Sequence, residues 1–233
     1  MADLAALQET IGVSFKDNSL LEQAMLHTSY INELPSSTLD SNERLEFLGD
    51  AILGFIVAEK LYQEFPEFTE GEMTKLRSAL VCRDALAKVA RGIRLGDYLY
   101  LGKGEETSGG MHKAANLARV LEALIAAIFY DQGLAVTRSF VLKLLDKELK
   151  KAIEHGTVFD YKSRLQEIIQ SRKQLTPTYR LVEAAGPDHD KRFIVEVMFG
   201  DVVWGTGVGK SKKSAETEAA RSALGRISVG FTE

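Results

Sequence analysis

Apolar residues recur at three- and four-residue spacing through most of the first 150 positions. This periodicity predicts helices over 20–30, 44–65, 72–90, 114–132 and 135–153. Pro35, Pro66, Gly71, Gly92, Gly96, Gly102, Gly104, Gly109, Gly110 and Gly133 punctuate them. Beyond residue 154 the rhythm changes. Asp160 is placed to cap a helix over 161–172. Strand-like stretches follow at 177–184, 192–199 and 202–207, turned at Gly186-Pro187-Asp188 and Gly200-Asp201. An alanine-rich helix over 212–227 closes the chain. The pattern therefore predicts a multidomain protein: an all-α domain over 1–154, a linker at 155–159, and an α-β-β-β-α domain over 160–228.

Charge sharpens this division. The 233 residues carry a net charge of −4. Twelve Lys and Arg face ten Asp and Glu after residue 156, so the tail is mildly basic behind an acidic body. A nucleic-acid-binding module on a metal-binding body has that asymmetry. The single cysteine, Cys82, excludes an internal disulfide framework and suits a reducing, cytoplasmic compartment. It is expected to be a small core residue. No basic-then-apolar leader opens the sequence. The longest unbroken apolar stretches, near 51–58 and 123–129, fall short of the roughly 20 residues of a membrane span.

The strongest chemical signal is Glu43-Arg44-Leu45-Glu46-Phe47-Leu48-Gly49-Asp50. On a helix, positions 43, 46 and 50 share one stripe, so three carboxylates repel one another along a single face. Leu45, Leu48, Ile52 and Phe55 fall on neighbouring positions and are expected to be buried. A solvated acidic face is the bland reading of such a trio. The apolar residues on both sides favour a cation site instead, and hard oxygen ligands suit Mg²⁺ or Mn²⁺.

With His27-Thr28-Ser29-Tyr30, Glu70-Gly71-Glu72-Met73, Gly109-Gly110 and the run Ala-Ala-Ile-Phe-Tyr-Asp-Gln-Gly over 126–133, the octet resembles bacterial ribonuclease III over about residues 5–228. The resemblance implies a homodimeric, Mg²⁺-dependent endoribonuclease. It would cut double-stranded RNA to 5′-phosphate and 3′-hydroxyl ends in the processing of ribosomal and other transcripts. It implies Glu46, Asp50 and Glu122 as metal ligands, with Asp50, Glu122, Glu43 and Glu70 as the catalytic carboxylates. Phe47 and Leu48 would line a two-fold interface.

One position departs from the family. Arg119 stands three residues before Glu122, where an Asp ligand is expected. It could swing away, or pair with Glu122 one turn on and occupy that ligand. The alternative function is therefore a duplex-RNA-binding regulator with impaired cleavage.

The tail resembles a double-stranded-RNA-binding domain. Ser211 can cap its second helix, whose start with Lys210, Lys212 and Lys213 would face phosphates. Gln166, Glu167 and His189 would meet 2′-hydroxyls in successive minor grooves. Tyr179, Phe193 and Phe199 are expected in the core. His27, His112 and His155 have no partners at zinc spacing and read as ordinary polar residues.

Overall fold

The computed structural model describes residues 3–34, 38–154, 161–173, 176–187 and 191–229. Pro35, the 155–159 linker, Asp160, Asp188 and His189 lie outside them. The chain divides into two compact units, Met1–Glu154 and His155–Glu233.

The first unit is helical. α1 (Leu4–Ile11), which the periodicity missed, starts at Asp3, whose carboxylate accepts from the Ala6 amide at 3.1 Å. It ends at Gly12 in the left-handed region. The helix predicted over 20–30 is two: α2 (Asn18–Met25) and α3 (Thr28–Asn32). Between them Leu26 is extended and bridges to Tyr100. The His27 amide donates to the Tyr100 carbonyl at 3.1 Å. Side-chain spacing does not register such a backbone exchange.

α4 (Glu43–Glu64) carries the octet. The helix predicted over 72–90 also breaks, into α5 (Glu70–Val81) and α6 (Arg83–Gly92). Cys82 joins them in extended conformation and is exposed, not a core residue. It occupies the corner between the helices, outside their apolar faces. A short α7 (Lys103–Thr107) leads to α8 (Ala114–Glu154).

α8 is the axis of this unit. Leu117, Val120, Leu121, Leu124, Ile125 and Ile128 are buried, and α2, α4 and α6 pack around it. By length and composition it is apolar enough to cross a membrane. Its apolar side chains instead form the protein core. Gly133, with φ 76° and ψ 178°, breaks the helix where the two periodic segments were predicted to separate.

The second unit follows the predicted order: α9 (Tyr161–Lys173), β1 (Thr178–Ala185), β2 (Arg192–Phe199), β3 (Val202–Gly209) and α10 (Lys212–Val229). The strands form an antiparallel sheet in the order β1-β2-β3. Leu165, Ile169, Val195, Val197 and Phe199 fill the core with α10 alanines. Tyr179 and Phe193 are partly buried against it, and Trp204 packs edge-on to Phe199. Gly205, Gly207 and Gly209 of β3 face Ala215, Ala219 and Ala223 of α10 so closely that a Cβ on any of the three glycines would overlap α10.

Candidate active site and nucleic-acid interface

The start of α4 is pinned. Asn42 is buried, donating from its amide to the Leu26 carbonyl at 2.8 Å and from its side chain to the Ala24 carbonyl at 3.0 Å. From that anchor Glu43, Glu46 and Asp50 climb one face. Glu43 is exposed and accepts from the Ser41 hydroxyl at 2.9 Å. Glu46 is half-buried and Asp50 exposed. Leu45 and Ile52 are buried as expected, and Leu48 is half-buried. Phe55 is not buried: it is 51% exposed, on a groove it shares with Tyr62 and Met73. Phe47 is 82% exposed.

Gly49 explains how the second acidic helix arrives. A Cβ there would overlap the carbonyl oxygen of Glu122, so the backbones of α4 and α8 touch. Only glycine permits that approach. It brings the Glu122 carboxyl within electrostatic range of Asp50 and Glu46. Burial, then the charges of Asp50 and Glu46, push the Glu122 carboxyl up to about 7, against the opposing Arg119. Burial also raises Glu46, with Arg119 opposing and Glu43 and Asp50 adding to the rise.

Arg119 reaches across the helix pair. Its Nε lies 3.4 Å from Glu46 Oε1, so its partner is on α4 and not Glu122 one turn along α8. Among the described residues, no three His, Cys, Asp or Glu are drawn together as a metal-ligand group. The donor chemistry nonetheless fits a hard divalent cation. Half-buried carboxylates whose ionisation is resisted by their neighbours gain most from one.

Glu70 is placed elsewhere. It is exposed at the start of α5, accepts from the Thr74 hydroxyl at 2.9 Å, and lines the groove with Phe55, Tyr62, Met73 and Arg77. Among the described residues, Glu43, Asp50 and Arg119 act on Glu46, and Asp50, Glu46 and Arg119 on Glu122; Glu70 acts on neither.

His27, read from sequence as an ordinary polar residue, lies beside the cluster. Burial holds its imidazole below the usual value; Glu105 and Glu43 oppose that, and Arg119 and Lys113 add to it. Its Nδ1 accepts from the Ser29 amide at 3.2 Å, which places the neutral ring's proton on Nε2. Lys113 is engaged by Glu105 at 2.9 Å and the Ser108 hydroxyl at 2.8 Å. Asn116 donates to Glu105 at 2.7 Å. These bonds fix the start of α8, and with it the register of Arg119 and Glu122.

In the second unit Gln166 and Glu167 are exposed on α9, opposite the buried Leu165 and Ile169. Ser211 caps α10, its hydroxyl accepting from the Ser214 amide at 3.1 Å. Lys210, Lys212 and Lys213 are exposed there, where helix N–H groups also point outward.

The family described as Ribonuclease-III-like matches residues 17–149, and a double-stranded RNA binding motif matches residues 161–226. A Ribonuclease 3 of Dehalococcoides mccartyi (strain CBDB1) is 50% identical over 233 residues, covering 100% of this chain and 98% of its own. The chain belongs to the ribonuclease III family.

A second relative, Ribonuclease 3 of Roseiflexus sp. (strain RS-1), is 46% identical over 226 residues, covering 96% of this chain and 95% of its own. The crystal structure of the nuclease domain of the Campylobacter jejuni enzyme is 37% identical, with a TM-score of 0.58. It covers 64% of this chain and 97% of that domain. As a ribonuclease III the protein is an endoribonuclease acting on double-stranded RNA, with a divalent metal in its chemistry. Replacing both Lys212 and Lys213 with alanine is expected to weaken duplex binding about equally across sequences. It should lower the slope of log K against log salt by about 2, measured by filter binding. An unchanged slope would remove these lysines from the interface.

Proposed function

We propose that Glu46, Asp50 and Glu122 hold Mg²⁺ and that this centre hydrolyses one strand of an RNA duplex. The observation that carries the reading is the backbone contact of Gly49 with Glu122, which couples the carboxylates of α4 and α8. A bound Mg²⁺ supplies a more acidic water and neutralises charge at the phosphoryl group. Water adds its oxygen to phosphorus, the P–O3′ bond breaks, and the 3′ oxygen takes a proton, giving 5′-phosphate and 3′-hydroxyl ends. Glu43 is an outer acidic group that orients water at the mouth of the cluster. The second unit holds the duplex through Lys210, Lys212 and Lys213, with Gln166 and Glu167 towards 2′-hydroxyls. Precursors of ribosomal RNA in the cytoplasm are the substrates typical of the family.

The active species is a homodimer. Phe47, Phe55 and Tyr62 leave one face of α4 apolar and exposed, at 82%, 51% and 75%. A self-complementary two-fold contact suits such a face. Glu70, on the rim of the same groove, acts on this dimer face. Phe47→Glu is expected to sediment as a monomer at micromolar concentration and to lose cleavage. A Phe47→Glu dimer would place the interface elsewhere.

One observation favours the second reading, a duplex-binding regulator: the ion pair of Arg119 with Glu46 occupies a ligand. Incubation of a long RNA duplex with Mg²⁺, and separately with EDTA, decides between them. Cleavage that EDTA abolishes supports the enzyme. Binding without products, restored by Arg119→Asp, overturns it.

A further inference from the structure

We infer that Arg119 is a catalytic residue of this centre, whose guanidinium receives the substrate phosphate and takes the place of a second metal ion. The inference rests on the carboxylate centre proposed above. Charge balance is its first ground. Glu46, Asp50 and Glu122 carry three negative charges when ionised, and one divalent cation with one guanidinium balances them. An aspartate at 119 would leave four negative charges, which two divalent cations balance. With Glu43 exposed at the rim, the centre holding one cation and the guanidinium is close to neutral, and it repels an incoming phosphodiester less than a cluster without the guanidinium.

The second ground is geometry. Arg119 reaches from α8 to Glu46 on α4, and its side chain is 53% exposed. It is close enough to influence Glu46, Glu122 and His27 electrostatically. Its contact with Glu46 is 3.4 Å through Nε, longer than a well-formed charged hydrogen bond, and the solvent-exposed side chain can shift. A planar fork of N–H donors matches two non-bridging phosphate oxygens, which an ammonium cannot reproduce. Glu46 orients that fork.

The test uses the full chain and its Arg119→Ala, Arg119→Lys, Arg119→Asp and Asp50→Asn variants. Mn²⁺ is titrated into each protein without RNA, and single-turnover cleavage of a long duplex is followed at saturating Mg²⁺. The expected result is one Mn²⁺ per chain for the unmodified protein and Arg119→Ala, and two for Arg119→Asp. Arg119→Ala should cleave about a hundredfold more slowly, the scale of losing one charged donor to the transition state. Arg119→Lys should recover part of the rate. Retained Mn²⁺ binding by Arg119→Ala shows that its centre is folded. Cleavage by Arg119→Ala at the original rate or faster overturns the inference, as does a second Mn²⁺ in the unmodified chain. Unchanged Mn²⁺ binding and cleavage in Asp50→Asn overturns the carboxylate centre itself, and the inference with it.

Discussion

An alanine at Gly49 is expected to destabilise the helical unit by about 3 kcal/mol or more and to abolish RNA cleavage while duplex binding persists. The added methyl would occupy the position of the Glu122 carbonyl, so α4 and α8 must separate. Helix propensity opposes this only weakly, since alanine improves on glycine by roughly 1 kcal/mol in a helix interior. Separating the helices also moves Glu122 away from Asp50 and Glu46, and positioning errors near 1 Å lower rates about a hundredfold. Urea unfolding of the variant reads the first effect and duplex cleavage the second. Wild-type stability together with wild-type cleavage would show that the two helices re-space freely.

Replacing Glu122 with glutamine is expected to divide activity from stability. Cleavage should fall about a thousandfold, because a neutral amide is a poor ligand for a hard cation and leaves the cluster one charge short. Metal-free stability should move the other way. The folded protein raises the Glu122 carboxyl to about 7 against the ordinary 4.5, so it keeps a proton that the unfolded chain releases. The stability linked to this proton is fully present below the unfolded value and is lost as pH rises through about 7. In EDTA above that pH, Glu122→Gln should be more stable than the unmodified chain by on the order of 1–2 kcal/mol, allowing for solvent screening at a half-buried group. At pH 4 the two should match. Thermal unfolding across this range checks both ends, and parallel curves would falsify the assigned proton.

The acidic stripe of α4 and the α-β-β-β-α order of the tail were legible because each is a local pattern. Spacing along one helix states which residues share a face, as with Leu45 and Ile52. It does not state which helix that face meets. Hence spacing left Arg119 either swinging away or pairing with Glu122 in its own helix, and it was found against Glu46 across the interface. Glu70 went to the groove with Phe55 and Tyr62 for the same reason. The breaks at Leu26 and Cys82 were hidden because apolar spacing continues through them while the backbone does not. Gly49, read only as part of the octet, is the close approach on which the site depends.

The glycines of β3 carry a consequence for how mutational data on the small unit would look. Gly205, Gly207 and Gly209 mesh with the alanines of α10 like a rack against a toothed bar. The helix cannot slip by a residue or roll about its axis without collision. The phase of the lysine comb at its start is thus set by residues on the inner side of the sheet. A scan scored by duplex affinity would find strong effects at positions remote from RNA, and a contact-only map would leave them unexplained.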